Sequence, residues 1–185
     1  MKKNQYHPNS IRPRYFINCI REALDEKLAE DTKVILLGED ICDPFGGCFR
    51  VTKGLSTKYP DRVRNMPISE AAIIGVGTGL SMQGFKPVVE IMFYDFMTLC
   101  MDQIFNHALK FNEHWQPINL TIRTTIGKDD YGFQHTQDLD FIFKNIMKVI
   151  HPTPSEDVKS LLKEAIDAPF PVLFVEDSRY YWRKI

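Results

Sequence analysis

Residues 68–96, ISEAAIIGVGTGLSMQGFKPVVEIMFYDF, read as a helix and a buried strand joined by one turn, and this pairing decides the fold. The Ser69 hydroxyl can accept a hydrogen bond from the free N–H groups of a first helical turn. A helix is therefore predicted from Ser69 to about Gln83. Gly84 follows, a residue suited to the left-handed position at a helix C-terminus. KPVVEIM, residues 86–92, is then predicted as a buried strand. Three glycines, Gly75, Gly77 and Gly79, lie inside the helix, each costing ~1 kcal/mol against alanine. Close packing of this helix on a neighbouring backbone would account for them without a ligand. Neither GxGxxG nor GxxxxGK[ST] occurs, so the stretch is not a phosphate loop.

The same alternation extends outward in both directions. Residues 13–30 place Phe16, Ile17, Ile20, Leu24 and Leu28 at helical spacing. VILLGED, residues 34–40, is an uninterrupted apolar run ending in Gly-Glu-Asp, as expected of a strand covered on both faces. Residues 95–112 read as one helix with Phe96, Leu99, Cys100, Gln103, Ile104 and Ala108 near one face. INLTIRT (118–124) and KVIHPT (148–153) read as strands. PSEDVKSLLKEAIDA reads as a helix with Ser155 near its N-cap, and PVLFVED (171–177) as a last strand. Strands separated by helices imply right-handed crossovers, hence an α/β fold: a parallel sheet flanked by helices on both faces. The last strand ends about eight residues before residue 185, so a single domain over residues 1–185 is expected. Ligands of such sheets bind beyond the carboxyl ends of the strands. That edge would hold Gly38-Glu39-Asp40, Met92 to Asp95, and Arg123 to Thr125.

Bulk properties narrow the class. A net charge of −1 offers no basic field for nucleic acid or an anionic membrane surface. No apolar run reaches the ~18 residues that a membrane helix needs. MKKNQYHPNSIRPR lacks the apolar stretch of a signal peptide. Cys19, Cys42, Cys48 and Cys100 form no CxxC pair, which points to free thiols in a reducing, cytoplasmic setting. Cys42 and Cys48 lack the second ligand pair of a metal site, so no metal is expected on this chain.

With these residues laid out, the sequence resembles the β subunit of the 2-oxo acid dehydrogenase decarboxylating component, within the transketolase-like superfamily. The resemblance begins at VILLGEDICDPFGGCFRVTKGL and continues through RVRNMPISEAAIIGVGTGLSMQGFKPVVEIMFYDF. It resumes at Gln134-His135-Thr136-Gln137, similar to the family's His-Ser-Gln, and ends with VIHPTPSEDVKSLLKEAI and PVLFVED. It implies the pyrimidine-binding half of a thiamine-diphosphate enzyme. Glu70 then matches the glutamate that hydrogen-bonds N1′ of the aminopyrimidine, and Phe96 the aromatic stacked on that ring. Met92 matches a strand-end position beside the pyrimidine, and Glu39 an acid near the same pocket. His135 matches a histidine lining the active-site channel, where it helps to handle the acyl intermediate. Such roles suit the chemistry: a carboxyl of adjustable protonation in a low-dielectric pocket assists loss of the cofactor's C2 proton.

The family's Mg²⁺-diphosphate signature, Gly-Asp-Gly followed by Asn, is absent from the sequence. In the family it sits on the α subunit. The resemblance therefore implies a partner chain carrying Mg²⁺ and the diphosphate, in an α2β2-type assembly. The family's β subunit also continues into a C-terminal domain not found in these residues. Where the family's loop is glycine-rich this sequence has GKDDYGFQHTQ, residues 127–137, so substrate and acceptor are open. Decarboxylation of a 2-oxo acid with transfer of the acyl or aldehyde unit is the first expectation. A split transketolase-like ketol transferase or carboligase, and a non-catalytic assembly subunit, are the alternatives.

Overall fold

A computed structural model describes residues 14–185. The reading of the N-terminal stretch as something other than a signal peptide lies, except for Arg14, outside the described residues. In chain order the main elements are α1 (Phe16–Glu30), β1 (Val34–Gly38), α2 (Leu55–Lys58), β2 (Val63–Asn65), α3 (Glu70–Met82) and β3 (Lys86–Ile91). A composite helical segment, α4, follows over residues 94–114. Then come β4 (Thr121–Ile126), α5 (Asp140–Phe143), β5 (Lys148–Ile150), α6 (Val158–Asp167) and β6 (Val172–Asp177).

All strands run parallel, in the order β2-β1-β3-β4-β6-β5. Alternate residues of each strand feed the two faces. Leu36, Val88 and Phe174 join one core with Phe16, Ile20 and Leu24 of α1 and Leu162 and Ile166 of α6. Their neighbours Leu37, Val89 and Leu173 join a second core with Ile73 and Ile74 of α3 and with Met97, Cys100 and Ile104. Both faces of the sheet are thus dry, which explains its uninterrupted apolar strands. No helix among the described residues is long and apolar enough to cross a membrane.

Close packing accounts for one of the three α3 glycines directly. A Cβ on Gly77 would lie 2.8 Å from Val89 Cγ1 and 2.9 Å from Leu120 Cδ1. Gly79 faces open space instead. Packing of α3 on its own sheet therefore leaves Gly79 unexplained.

The structure departs from the sequence reading in three places. Residues 94–114 are not one α-helix: tight 3-10 turns over Tyr94–Cys100 give way to wide π-type turns over Gln103–Leu109, then an α-turn over Lys110–His114. The buried positions show why. Tyr94, Met97 and Cys100 recur every third residue, whereas Cys100, Ile104 and Ala108 recur every fourth. Helix α6 is capped by Asp157, whose carboxylate accepts from Ser160 N at 3.2 Å, and not by Ser155. The Ser155 hydroxyl is engaged with Thr153 in the preceding turn. Finally, Arg123, Thr124 and Thr125 lie within β4 and not on the edge beyond it. The short elements β2, α2 and α5 span too few residues to show a period.

Candidate active site

The strand order reverses between β1 and β3, since β2 lies to one side of β1 and the rest of the sheet to the other. Such a switch point opens a crevice beyond the carboxyl ends of its two strands. Glu39 and Asp40 leave β1 there, and Met92 and Phe93 leave β3. Helix α3 enters from β2, so its N-terminus brings Glu70 to the same edge. Ser69 caps that helix, accepting from Ala72 N at 3.4 Å.

Glu39 and Glu70 lie near enough for the charge of one to act on the other. Burial raises the Glu39 pKa, and the negative charges of Glu70 and Asp40 push it further. A hydrogen bond from the Ser69 backbone works the other way. Oε1 of Glu39 is buried and has no hydrogen-bond partner. Glu70 is half-buried, and no ion pair among the described residues engages it. Its charge reaches Cys100, whose fully buried thiol is pushed up to about 12, chiefly by burial. A buried carboxylate oxygen left without a donor, beside a second carboxylate, is the arrangement that a ligand N–H would complete.

A pH-dependent stability follows. An acid with a raised folded pKa disfavours folding once ionised, so the cost of Glu39 appears as pH rises above its ordinary 4.5. Glu39→Gln is expected to raise the melting temperature at pH 8 relative to the parent. The gap should close as pH falls below the ordinary glutamate range. Melting curves of both proteins from pH 4 to 8 check this; a gap that widens on acidification contradicts it.

The second cluster is aromatic. Phe93 is buried at the end of β3, with Phe96 at 5.7 Å and the His135 ring at 4.6 Å between centroids. Phe96 and His135 lie 5.6 Å apart. His135 Nδ1 lies 2.9 Å from the Tyr131 carbonyl, which only accepts, so Nδ1 carries the hydrogen. In the neutral ring Nε2 is then the free acceptor. The 3-10 turns carrying Phe96 also hold the histidine loop. Asp95 accepts from Gln137 Nε2 at 2.7 Å, and Tyr94 Oη donates to Asp140 at 3.1 Å. Two recesses open beside these rings. One, of about 350 Å³, is lined by Cys48, Phe49, Phe93, Tyr131 and His135. The other, of about 300 Å³, is lined by Met92 with Asp40, Phe45, Gly47, Cys48 and Arg50. Residues 94–100 link the two clusters: Phe96 packs against Phe93 and His135, and the charge of Glu70 acts on Cys100.

Gly127 closes the base of the histidine loop. Its N–H donates to the His135 carbonyl at 2.7 Å, and a Cβ there would lie 2.4 Å from that oxygen. Gly127→Ala is expected to displace His135 and to destabilise the fold by about 1–3 kcal/mol, the cost of forced overpacking. Denaturant unfolding checks the stability, and the shift of the His135 imidazole resonances checks the displacement.

The sequence placed Phe93 on this edge without giving it a role, and gave no sign of Phe49, Tyr131 and Cys100 as members of this region. Phe93 had a signal: it directly follows Met92 at the same strand end. The other three become neighbours only through the fold.

A family model described as "Transketolase, pyrimidine binding domain" matches residues 15–181. The chain belongs to this family. Among curated relatives, this chain is 39% identical over 181 residues to the acetoin:2,6-dichlorophenolindophenol oxidoreductase subunit beta of Cupriavidus necator, covering 88% of this chain and 53% of that one. It is 36% identical over 174 residues to the 2-oxoisovalerate dehydrogenase subunit beta of Bacillus subtilis, covering 90% and 53%. The chain thus spans about half the length of these relatives. Among solved structures, a split gene transketolase described as an inactive beta4 tetramer aligns with a TM-score of 0.69 at 24% identity, over 86% of this chain and 49% of that one. That likeness concerns the fold alone: six parallel strands with helices on both faces.

Proposed function

We propose that this chain is the pyrimidine-binding subunit of a split thiamine-diphosphate enzyme that decarboxylates a 2-oxo acid and transfers the acyl or aldehyde unit. The observation that carries this reading is the orphaned, buried Oε1 of Glu39 beside Glu70, at the switch point between β1 and β3. The residues present fit a thiamine aminopyrimidine, a flat group with ring nitrogens and an amino donor. Glu70 would hold N1′, Glu39 would face the same pocket, Phe96 would stack on the ring and Met92 would sit at the strand end beside it. When bound, the cofactor supplies the carbon nucleophile and electron sink that the side chains lack. His135, with Nε2 free, would exchange a proton with the transferred unit. Asp95 and Gln137 keep its loop in place.

Half of the site has to come from elsewhere. The chain has no Gly-Asp-Gly, so an α-type partner would bring Mg²⁺ and the diphosphate half. The two curated relatives named above are themselves beta subunits. The exposed face of α3 supports an α2β2-type assembly with self-association, since Gly79 is open, Val76 is 43% exposed, and Leu99 and Phe105 are exposed on the helical segment packed against α3. The reading includes a single pyrimidine-binding domain. It also includes a cytoplasmic setting, supported by four unpaired cysteines.

Calorimetry tests the division of labour. Thiamine diphosphate with Mg²⁺ is expected to show negligible affinity for this chain alone, and micromolar or tighter binding once the partner is added. Micromolar binding to the chain alone overturns the reading.

A further inference from the structure

We infer that the unit transferred by this enzyme carries an aryl ring, seated in the recess between Phe49, Phe93, Tyr131 and His135. This rests on the reading of the site as one that takes a 2-oxo acid, and it names the class of that acid.

The recess is built from three separate segments. Phe49 comes from the loop after β1, Phe93 from the end of β3, and Tyr131 and His135 from the loop after β4. The rings hold one another at fixed angles. Phe49 meets Phe93 at 79° and 5.8 Å, and Phe93 meets His135 at 68° and 4.6 Å. Tyr131 lies 5.9 Å from Phe49 and 6.4 Å from Phe93. The recess they line is open to solvent on one side and measures about 350 Å³, and none of the lining residues is an acid, a lysine or an arginine. A methyl-sized acyl group would leave most of that space without contacts. An aryl ring offers a face and an edge to walls already arranged edge-to-face, the geometry aromatic rings prefer. Because the walls are already ordered, little freedom is lost on binding.

The same lining argues against a phosphorylated sugar. A ketose chain laid against these rings would have several hydroxyls stripped of water with few partners in return. The adjoining recess does hold Arg50, but Asp40 lines it too and offsets that charge. The aromatic walls therefore favour an aryl group over the polyhydroxylated chain of a ketose phosphate.

Ligand-observed saturation-transfer NMR on this chain tests the inference, with phenylpyruvate, pyruvate and xylulose 5-phosphate as probes. Phenylpyruvate is expected to bind at least about ten-fold more tightly than either of the others, the scale on which an apolar pocket discriminates. Tyr131 sits on an exposed loop, so Tyr131→Ala should fold. It is expected to weaken phenylpyruvate by about five-fold or more, the effect of truncating an aromatic contact, with pyruvate unchanged. Equal binding of the three probes, preference for the ketose phosphate, absence of phenylpyruvate binding, or an unaltered affinity in Tyr131→Ala each overturns the inference. These readouts need neither cofactor nor partner. Phenylpyruvate binding as stated, alongside normal turnover in Glu70→Gln, would leave the aryl recess standing and remove the cofactor reading.

Discussion

Replacing Glu70 by glutamine is expected to abolish turnover in the assembled enzyme while leaving the fold intact. Glutamine has the same length and shape. Glu70 takes part in no ion pair among the described residues, so no buried charge is stranded. The helix loses an acid from its first turn, a change of about 0.3–1 kcal/mol. What disappears is a carboxyl group able to share a proton with a ring nitrogen. Loss of one positioned acid–base group costs a factor of about 10²–10⁴ in rate. Steady-state kinetics with the partner present, together with a melting curve, separates the two effects. Normal activity would refute the role assigned to the carboxyl, and a collapsed melting temperature would show Glu70 to be structural.

Replacing Arg123 by methionine is expected to cost about 3–5 kcal/mol of stability, the penalty for stranding a buried ionic partner. Arg123 is 1% exposed in the middle of the sheet. Its guanidinium reaches Glu90 on β3 at 2.7 Å and Glu176 on β6 at 2.6 Å, tying three adjacent strands together. Burial opposes its charge, but the Glu176 and Glu90 carboxylates outweigh that and hold it protonated. Glu176 is fully buried and also accepts from Tyr181 Oη at 2.7 Å, which in turn meets Thr125 at 2.9 Å. Without the guanidinium, Glu176 keeps the tyrosine but loses its counter-charge. Adding Glu176→Gln should recover part of the loss, because the stranded charge is then gone. Denaturant unfolding of the single and double variants measures both values. A single variant as stable as the parent would show that the ion cluster contributes nothing.

Much of this architecture is legible in the sequence wherever burial imposes a regular pattern. Helix α1 shows its buried stripe, and β1, β3 and β6 are apolar because helices cover both sides of the sheet. Ser69 announces the start of α3. Residues 94–114 were legible only as helical, because their buried positions change from every third to every fourth residue at Cys100. The carboxylate pair was half legible. Glu39 and Glu70 stand at the ends of recognisable elements, but their mutual influence depends on β2 delivering α3 beside β1, and β2 has only three residues. The aromatic recess was not legible as a unit. Phe49, Phe93 and Tyr131 belong to different crossovers, and nothing local marks them as neighbours. Nor does the pattern of β4 reveal that Arg123 has carboxylate partners on both flanking strands.

The account turns on Glu70 acting on the cofactor itself, so exchange of the thiamine diphosphate C2 proton for deuterium in the assembled complex is the most direct test. NMR of the cofactor after acid quench reads the exchange without any substrate. The complex is expected to accelerate exchange strongly over free cofactor, and Glu70→Gln to slow it by about 10² or more, as expected when a positioned carboxyl is lost. Equal exchange rates in the parent and the variant would contradict the account.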